Sequence, residues 1–175
     1  MSLTTFQPGG NVGTAIIKEL LKDTNNNTPL TITALTRPTS PYTPPPNTPI
    51  THRTVDYTSP ASLVSAFTGQ DAVVNCVTGS ATQFSSSKLI IDAAVAAGVK
   101  VFFANEFVSH MESEQYRRLP EAYVGAKVRI RGYLTELGGE GKIGWMSLNG
   151  GPFLDMCESS GRVYSMRCWT GLGSC

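Results

Sequence analysis

The amino-acid sequence predicts an α/β fold built on a doubly wound parallel sheet, and three observations predict it. Short strand-like and helix-like segments alternate for most of the chain. One strand segment, Asp71 to Val77, is apolar at Ala72, Val73, Val74, Cys76 and Val77, the pattern of a strand covered on both faces. A glycine-rich turn, Pro8-Gly9-Gly10-Asn11, joins the first strand to the first helix. Alternation of this kind calls for a parallel sheet with helices on both faces. The expected strand order is 3-2-1-4-5-6, with a ligand crevice at the carboxyl ends of strands 1 and 4.

Each element has its own signal. Leu3 to Phe6 is a short strand. Asn11 is placed to cap the helix from Val12 to Lys22, because its side chain can accept from a free helical N–H. That helix carries Val12, Ile16 and Leu20, with Ile17 and Leu21, on one side. Asp23 to Pro29 is a polar break, and Leu30 to Leu35 is a β-branched strand. Thr39 to Pro49 holds five prolines and must be an extended loop. Thr51 to Val55 is a third strand. Ser59 followed by Pro60 starts a helix that runs to about Phe67, where Gly69 stops it. After the buried fourth strand, Gln83 to Ala97 reads as a helix ended by Gly98. Val99 to Phe103 is another buried strand, Pro120 to Leu137 a long helix, and Ile143 to Leu148 a last strand. The sum is a Rossmann-type domain over residues 1–156. Residues 157–175 show neither period and are expected to form a disordered tail.

Composition narrows the function. The 175 residues suffice for one domain with a core. A net charge of +1 gives no broad electrostatic case for nucleic acid or an acidic membrane surface. No apolar run approaches the roughly 20 residues of a membrane span. The first residues lack a basic stretch followed by an apolar one, so no signal peptide is expected. The four cysteines contain no C-x-x-C pair, which argues against zinc, dithiol chemistry and a disulfide scaffold; a cytoplasmic location fits best. Cys76 reads as a small buried hydrophobe.

Three places could carry chemistry. The first is the turn and helix start at Gly10, Asn11, Val12 and Gly13. A helix N-terminus offers unpaired N–H groups and partial positive charge, which suit a pyrophosphate. Gly10 and Gly13 are spaced as the last two glycines of G-x-x-G-x-x-G, but Gln7 stands at the first position. The plainer reading is a capped helix after a loop. The second place is Leu35-Thr36-Arg37, at the end of strand 2. NAD sites put an acid there; here Arg37 could instead pair bidentately with a 2′-phosphate, which points to NADP(H). The alternative is a solvated arginine before the proline loop. The third is Lys127, which shares a helical stripe with Tyr123, Ile130, Leu134 and Leu137, while Arg129 and Arg131 point elsewhere. Burial would lower its pKa toward acid–base range, unless the ammonium snorkels to water. Tyr123 and Lys127 also match Y-x-x-x-K, a spacing that arises easily by chance. His52 and His110 have no metal-like partners and read as surface or loop histidines. Asn105-Glu106-Phe107 ends strand 5, where binding residues often sit; Glu106 could equally tie down backbone N–H groups.

Several segments, in order, carry a family resemblance. PGGNVGTAIIKELL resembles the GATGNxG turn and helix of NmrA-like and isoflavone-reductase-like proteins, an atypical short-chain dehydrogenase family. VDYTSPASLVSAFTGQDAVVNCV, KLIIDAAVAAGVKVFFANEF, AKVRIRGYL and GWMSLNGGPFLD are similar to the segments that follow in that family. The resemblance spans Leu3 to Asp155. It implies NADP(H) bound at Gly10, Asn11, Val12 and Gly13. Arg37, next to Thr36, favours the 2′-phosphate, and Val77 and Thr78 form the cofactor-side end of strand 4. It also implies that Lys127 does acid–base work while hydride passes from NADPH to a small phenolic or secondary-metabolite-like substrate.

Three departures stand out: Gln7 for a glycine, Val108 after Phe107 where the family has glycine, and length. Family members are longer, so relative to them the chain is expected to be C-terminally truncated, with much of the substrate domain missing. The leading expectation is an NADP-dependent oxidoreductase. The alternatives are a non-catalytic NmrA-like sensor of dinucleotide state acting through a protein partner, and an inactive remnant.

Overall fold

The computed structural model describes residues 1–22, 30–77, 84–107, 113–114, 118 and 121–148, with 121–124 described by their backbone alone. Asp23 to Pro29, Thr78, Val108, His110, the side chain of Tyr123, the boundary at 156 and the tail 157–175 lie outside the described residues.

Strands and helices alternate as β1 (Ser2–Phe6), α1 (Asn11–Lys22), β2 (Thr31–Thr36), β3 (Ile50–Thr54), α2 (Pro60–Phe67), β4 (Ala72–Asn75), α3 (Phe84–Ala96), β5 (Val101–Ala104), α4 (Glu121–Gly139) and β6 (Gly144–Ser147). The six strands form one sheet in the order β3-β2-β1-β4-β5-β6, and every neighbouring pair is parallel. This is the predicted Rossmann-type topology. Phe6 is level with Leu35 on one side and Asn75 on the other, so β1, β2 and β4 end together.

The two faces of the sheet are covered differently. Phe6, Leu35, Val73 and Phe102 pack with Leu63 and Phe67 of α2, Ile90 and Ile91 of α3, and Ile130, Leu134 and Leu137 of α4. On the other face Leu3, Ala72, Val74 and Cys76 pack with Val12, Ile16 and Leu20 of α1. Burial of this kind removes apolar surface from water and is the main source of stability. The proline-rich connection from β2 to β3 stays without secondary structure, since proline lacks the N–H that a helix needs.

Local chemistry sets the element ends. Ser59 caps α2, its Oγ accepting from the Ser62 N–H at 3.3 Å, with Pro60 in the first turn. Glycines in the left-handed region stop α3 and α4. Gly98 has φ +75° and Gly141 φ +70°. At α4 the Lys142 N–H reaches the Leu137 carbonyl and the Gly141 N–H that of Gly138, the paired bonds of a Schellman stop. That stop carries α4 two residues past the expected end at Leu137. Asn11 is corrected in the same way. The Gly10 carbonyl accepts from the Thr14 N–H at 2.8 Å, so Gly10 takes the cap position and Asn11 is the first helical residue. β5 begins two residues later than expected, because Val99 closes the α3 stop through its bond to the Ala94 carbonyl. β5 is also only half covered, with Val101 and Phe103 partly exposed beside the edge strand β6.

Candidate functional site

The chain leaves β1, β2 and β4 at one end of the sheet, where the ligand crevice is expected. Its centre is the turn from Gln7 to Gly13. Gln7 adopts a left-handed backbone, φ +53°, the conformation that a glycine takes without strain. Its N–H donates to the Leu35 carbonyl at 3.1 Å, and its carbonyl accepts from the Gly10 N–H at 3.3 Å. Gly13 is where helix and turn meet. A Cβ there would lie 2.6 Å from the Gln7 carbonyl oxygen and 2.9 Å from Pro8 Cα, so no side chain fits. Gly10 differs: a Cβ would meet only the Gln7 oxygen, at 3.7 Å. The turn is therefore closed on its inner side and open at Gly10. The first turn of α1 carries no acidic side chain to offset the partial positive charge of the helix N-terminus. An anion fits here.

A buried aromatic cluster supports the turn. The Phe6 ring lies 4.7 Å from that of Tyr57 and 5.2 Å from that of Phe67. The Tyr57 hydroxyl donates to the Leu35 carbonyl at 3.0 Å, the same oxygen that holds Gln7. Burial pushes the Tyr57 hydroxyl up to about 12, opposed by the Gln7 backbone N–H and the charge of Arg37. Tyr57 thus lies within the field of Arg37. Nothing in the sequence singled Tyr57 out, although it sits in the VDYTSP segment.

At the end of β2, Thr36 is buried and its Oγ1 lies 2.8 Å from Nε2 of His52 on β3. Its hydroxyl is engaged with the edge strand. Arg37 is exposed and makes no ion pair among the described residues. His52 is an exposed strand residue whose ring edge faces Tyr42, centroids 5.6 Å apart. Beyond Arg37 the proline loop lies along α1. Between them is a cavity of about 610 Å³, walled by Pro8, Ile17 and Leu21 on one side and Tyr42 and Pro45 on the other.

The other half of this end of the sheet is built by β4, β5 and α4. Val77 is buried; its N–H donates to Asn75 Oδ1 at 3.1 Å, and its carbonyl accepts from Asn105 Nδ2. Lys127 is half-buried, and its Nζ donates to the carbonyls of Asn105 at 3.0 Å and Glu106 at 3.1 Å. Burial holds its pKa below the ordinary lysine value, opposed by the charge of Glu106. Glu106 is buried and pairs with Arg131 at 2.8 Å, and Arg131 lies over the Trp145 ring at 5.6 Å. Arg131, expected to point away from the core, turns back to these two groups. Cys76 is a buried thiol pushed up to about 12, in keeping with a small hydrophobe. The structure thus brings Gly10, Asn11, Val12, Gly13, Thr36, Arg37 and Val77 to one end of the sheet, with Lys127 reaching the same end from α4.

Comparison with known proteins gives this geometry its context. The model of a family described as NAD(P)H-binding matches residues 9–136. The chain is 36% identical over 95 residues to oxidoreductase aprR of Aspergillus flavus, a stretch that is 54% of this chain and 31% of that protein. Among solved structures it resembles AtPrR2 with NADP+ and (+)pinoresinol, at TM-score 0.70 and 19% identity, covering 89% of this chain and 51% of that one. It also resembles the NADPH-dependent quinone oxidoreductase QOR2 of Escherichia coli complexed with NADPH. There the TM-score is 0.66 and the identity 21%, covering 90% and 52%. The last two likenesses are of fold. The chain thus spans about a third of the length of the curated relative it matches. No described helix is long and apolar enough to cross a membrane.

Proposed function

The chain belongs to the NAD(P)H-binding family, and from that premise we propose that it binds NADP(H) and serves an isoflavone-reductase-like oxidoreductase acting on a small phenolic or secondary-metabolite-like substrate. The observation that carries this reading is the turn. Gly13 is closed by the Gln7 carbonyl, while Gly10 stays open beside a helix whose first turn carries no acidic side chain. In this reading the diphosphate lies at Gly10, Asn11 and Val12: Asn11 and Val12 hold it through backbone N–H groups, and Gly10, whose own N–H is bonded to the Gln7 carbonyl, lets it approach the backbone closely. Arg37 meets the 2′-phosphate, beside the buried Thr36, and Val77 with Thr78 borders the nicotinamide side. The bound dinucleotide supplies the hydride. Lys127 holds a proton at Nζ, anchored by two carbonyls and with its pKa lowered by burial, and can exchange it with a substrate oxygen.

A second reading is a dinucleotide sensor without turnover, working through a protein partner. One observation favours it: both hydrogen bonds of Lys127 end on main-chain carbonyls, a structural use of the ammonium. Calorimetric titration with NADPH and NADH tests the common premise. Tighter NADPH binding supports it; no binding of either overturns both readings. Lys127→Ala then separates them. An enzyme loses turnover and keeps cofactor affinity, whereas a sensor keeps its NADPH response.

A further inference from the structure

We propose that Tyr42 is a positioning residue that straps the proline loop to the phosphate turn and so prearranges the end of the site that reads the 2′ position. The inference rests on the NADP(H) reading above. Tyr42 lies in a segment without secondary structure, yet it touches two separate parts of the fold and faces a third across a cavity. Its ring packs on Gly9, where an added Cβ would come within 3.3 Å of Cδ2 and 3.5 Å of Cβ of the tyrosine. The ring also makes a T-shaped contact with His52 on β3. It also walls the cavity along α1 opposite Pro8 and Ile17.

These contacts form a chain between the two cofactor-facing segments. Gly9 is in the phosphate turn. His52 bonds Thr36 at 2.8 Å, and Thr36 precedes Arg37. A loop that had to be ordered when the ligand arrives would charge that entropy against affinity. With Tyr42 seated on Gly9 and His52, the loop is already placed.

The ring does this work, not the hydroxyl. The Tyr42 oxygen is buried and makes no hydrogen bond among the described residues. Phenylalanine should therefore hold the strap as well as tyrosine, and removal of an unsatisfied buried hydroxyl should not destabilise the fold. Alanine should release it.

The test compares wild type, Tyr42→Phe, Tyr42→Ala and Gly9→Ala. Hydrogen exchange on the free proteins is read at residues 9–14 and 36–37. Adenosine 2′,5′-bisphosphate, which carries the 2′-phosphate but no nicotinamide, is titrated alongside NADPH and NADH. The expected result for Tyr42→Ala is faster exchange at both segments. Its bisphosphate affinity should be weaker by about tenfold, the size of one lost ordering contribution, and its preference for NADPH over NADH reduced. Tyr42→Phe should match wild type. Gly9→Ala pushes the ring from the other side and should shift exchange the same way, which keeps the test open if Tyr42→Ala does not fold. Unchanged exchange and affinity in the folded variants, with wild type still binding NADPH, would overturn the strap alone. Failure of wild type to bind NADPH or the bisphosphate would overturn the cofactor reading and the strap with it.

Discussion

Lys127 and Glu106 are joined twice: the ammonium of Lys127 donates to the Glu106 main-chain carbonyl at 3.1 Å, and the charge of the Glu106 carboxylate opposes the desolvation of that ammonium. Burial is the larger effect, so the folded protein holds the proton of Lys127 less tightly than the unfolded chain does. Between the lowered pKa and the ordinary lysine value the unfolded state binds more protons. Stability contributed by this group therefore rises with pH across that alkaline window. Lys127→Met removes the effect. Urea unfolding of both proteins at several alkaline pH values should show wild type gaining on the variant as pH rises. A difference that shrinks or stays flat would contradict the assignment.

Arg131 provides the counter-charge for the buried Glu106 carboxylate, and its side chain is 28% exposed against 1% for the glutamate. Arg131→Met should cost about 3 kcal/mol, the lower end for breaking a buried pair, because water can still approach the arginine side. Removing Lys22 from its exposed pair with Glu19 should cost much less, since water screens both charges. Denaturant midpoints of the two variants give the comparison, and equal losses would show that Glu106 does not depend on Arg131.

Gly13→Ala sets two effects against each other. Alanine in a helix gains up to about 1 kcal/mol over glycine. The added Cβ would lie 2.6 Å from the Gln7 oxygen and 2.9 Å from Pro8 Cα, both backbone atoms that cannot swing aside. Overpacking of this kind costs about 1–3 kcal/mol or more. The clash should win, with a lower Tm and weaker NADPH binding. A more stable variant would mean that helix and turn are not in contact.

Gln7→Gly tests the departure from the glycine pattern. A non-glycine residue at φ +53° carries roughly 1–2 kcal/mol of strain, while glycine loosens the unfolded chain by about 0.5–1 kcal/mol. The variant should be as stable as wild type or slightly more so. Gln7→Val, β-branched at a left-handed position, should be clearly less stable. Thermal unfolding orders the three proteins.

Arg37→Ala should reduce NADPH affinity by about tenfold or more, the worth of one charge-assisted contact, and leave NADH affinity nearly unchanged. Calorimetry with both cofactors reads the ratio. An unchanged ratio would return Arg37 to the role of a solvated surface arginine.

The sequence by itself determined the order of elements and their parallel arrangement, because these follow from local periods and stops. The apolar run at β4, the Ser59-Pro60 start and the Gly98 stop act over a few residues, and each stands in the structure where its neighbours dictate. The stripe of Ile130, Leu134 and Leu137 was likewise legible from spacing, and those residues are buried. Tertiary structure alone decided which distant groups meet. Tyr57 and Gln7 share the Leu35 carbonyl, Arg131 turns back to Glu106, and Thr36 bonds His52 across the edge of the sheet. Tyr42 reaches Gly9 from the middle of a loop that spacing reads only as extended. These contacts join residues 16 to 33 positions apart or sit where no period exists. Their energy comes from packing and from satisfying buried polar groups, and neither leaves a mark on the spacing of residues along the chain.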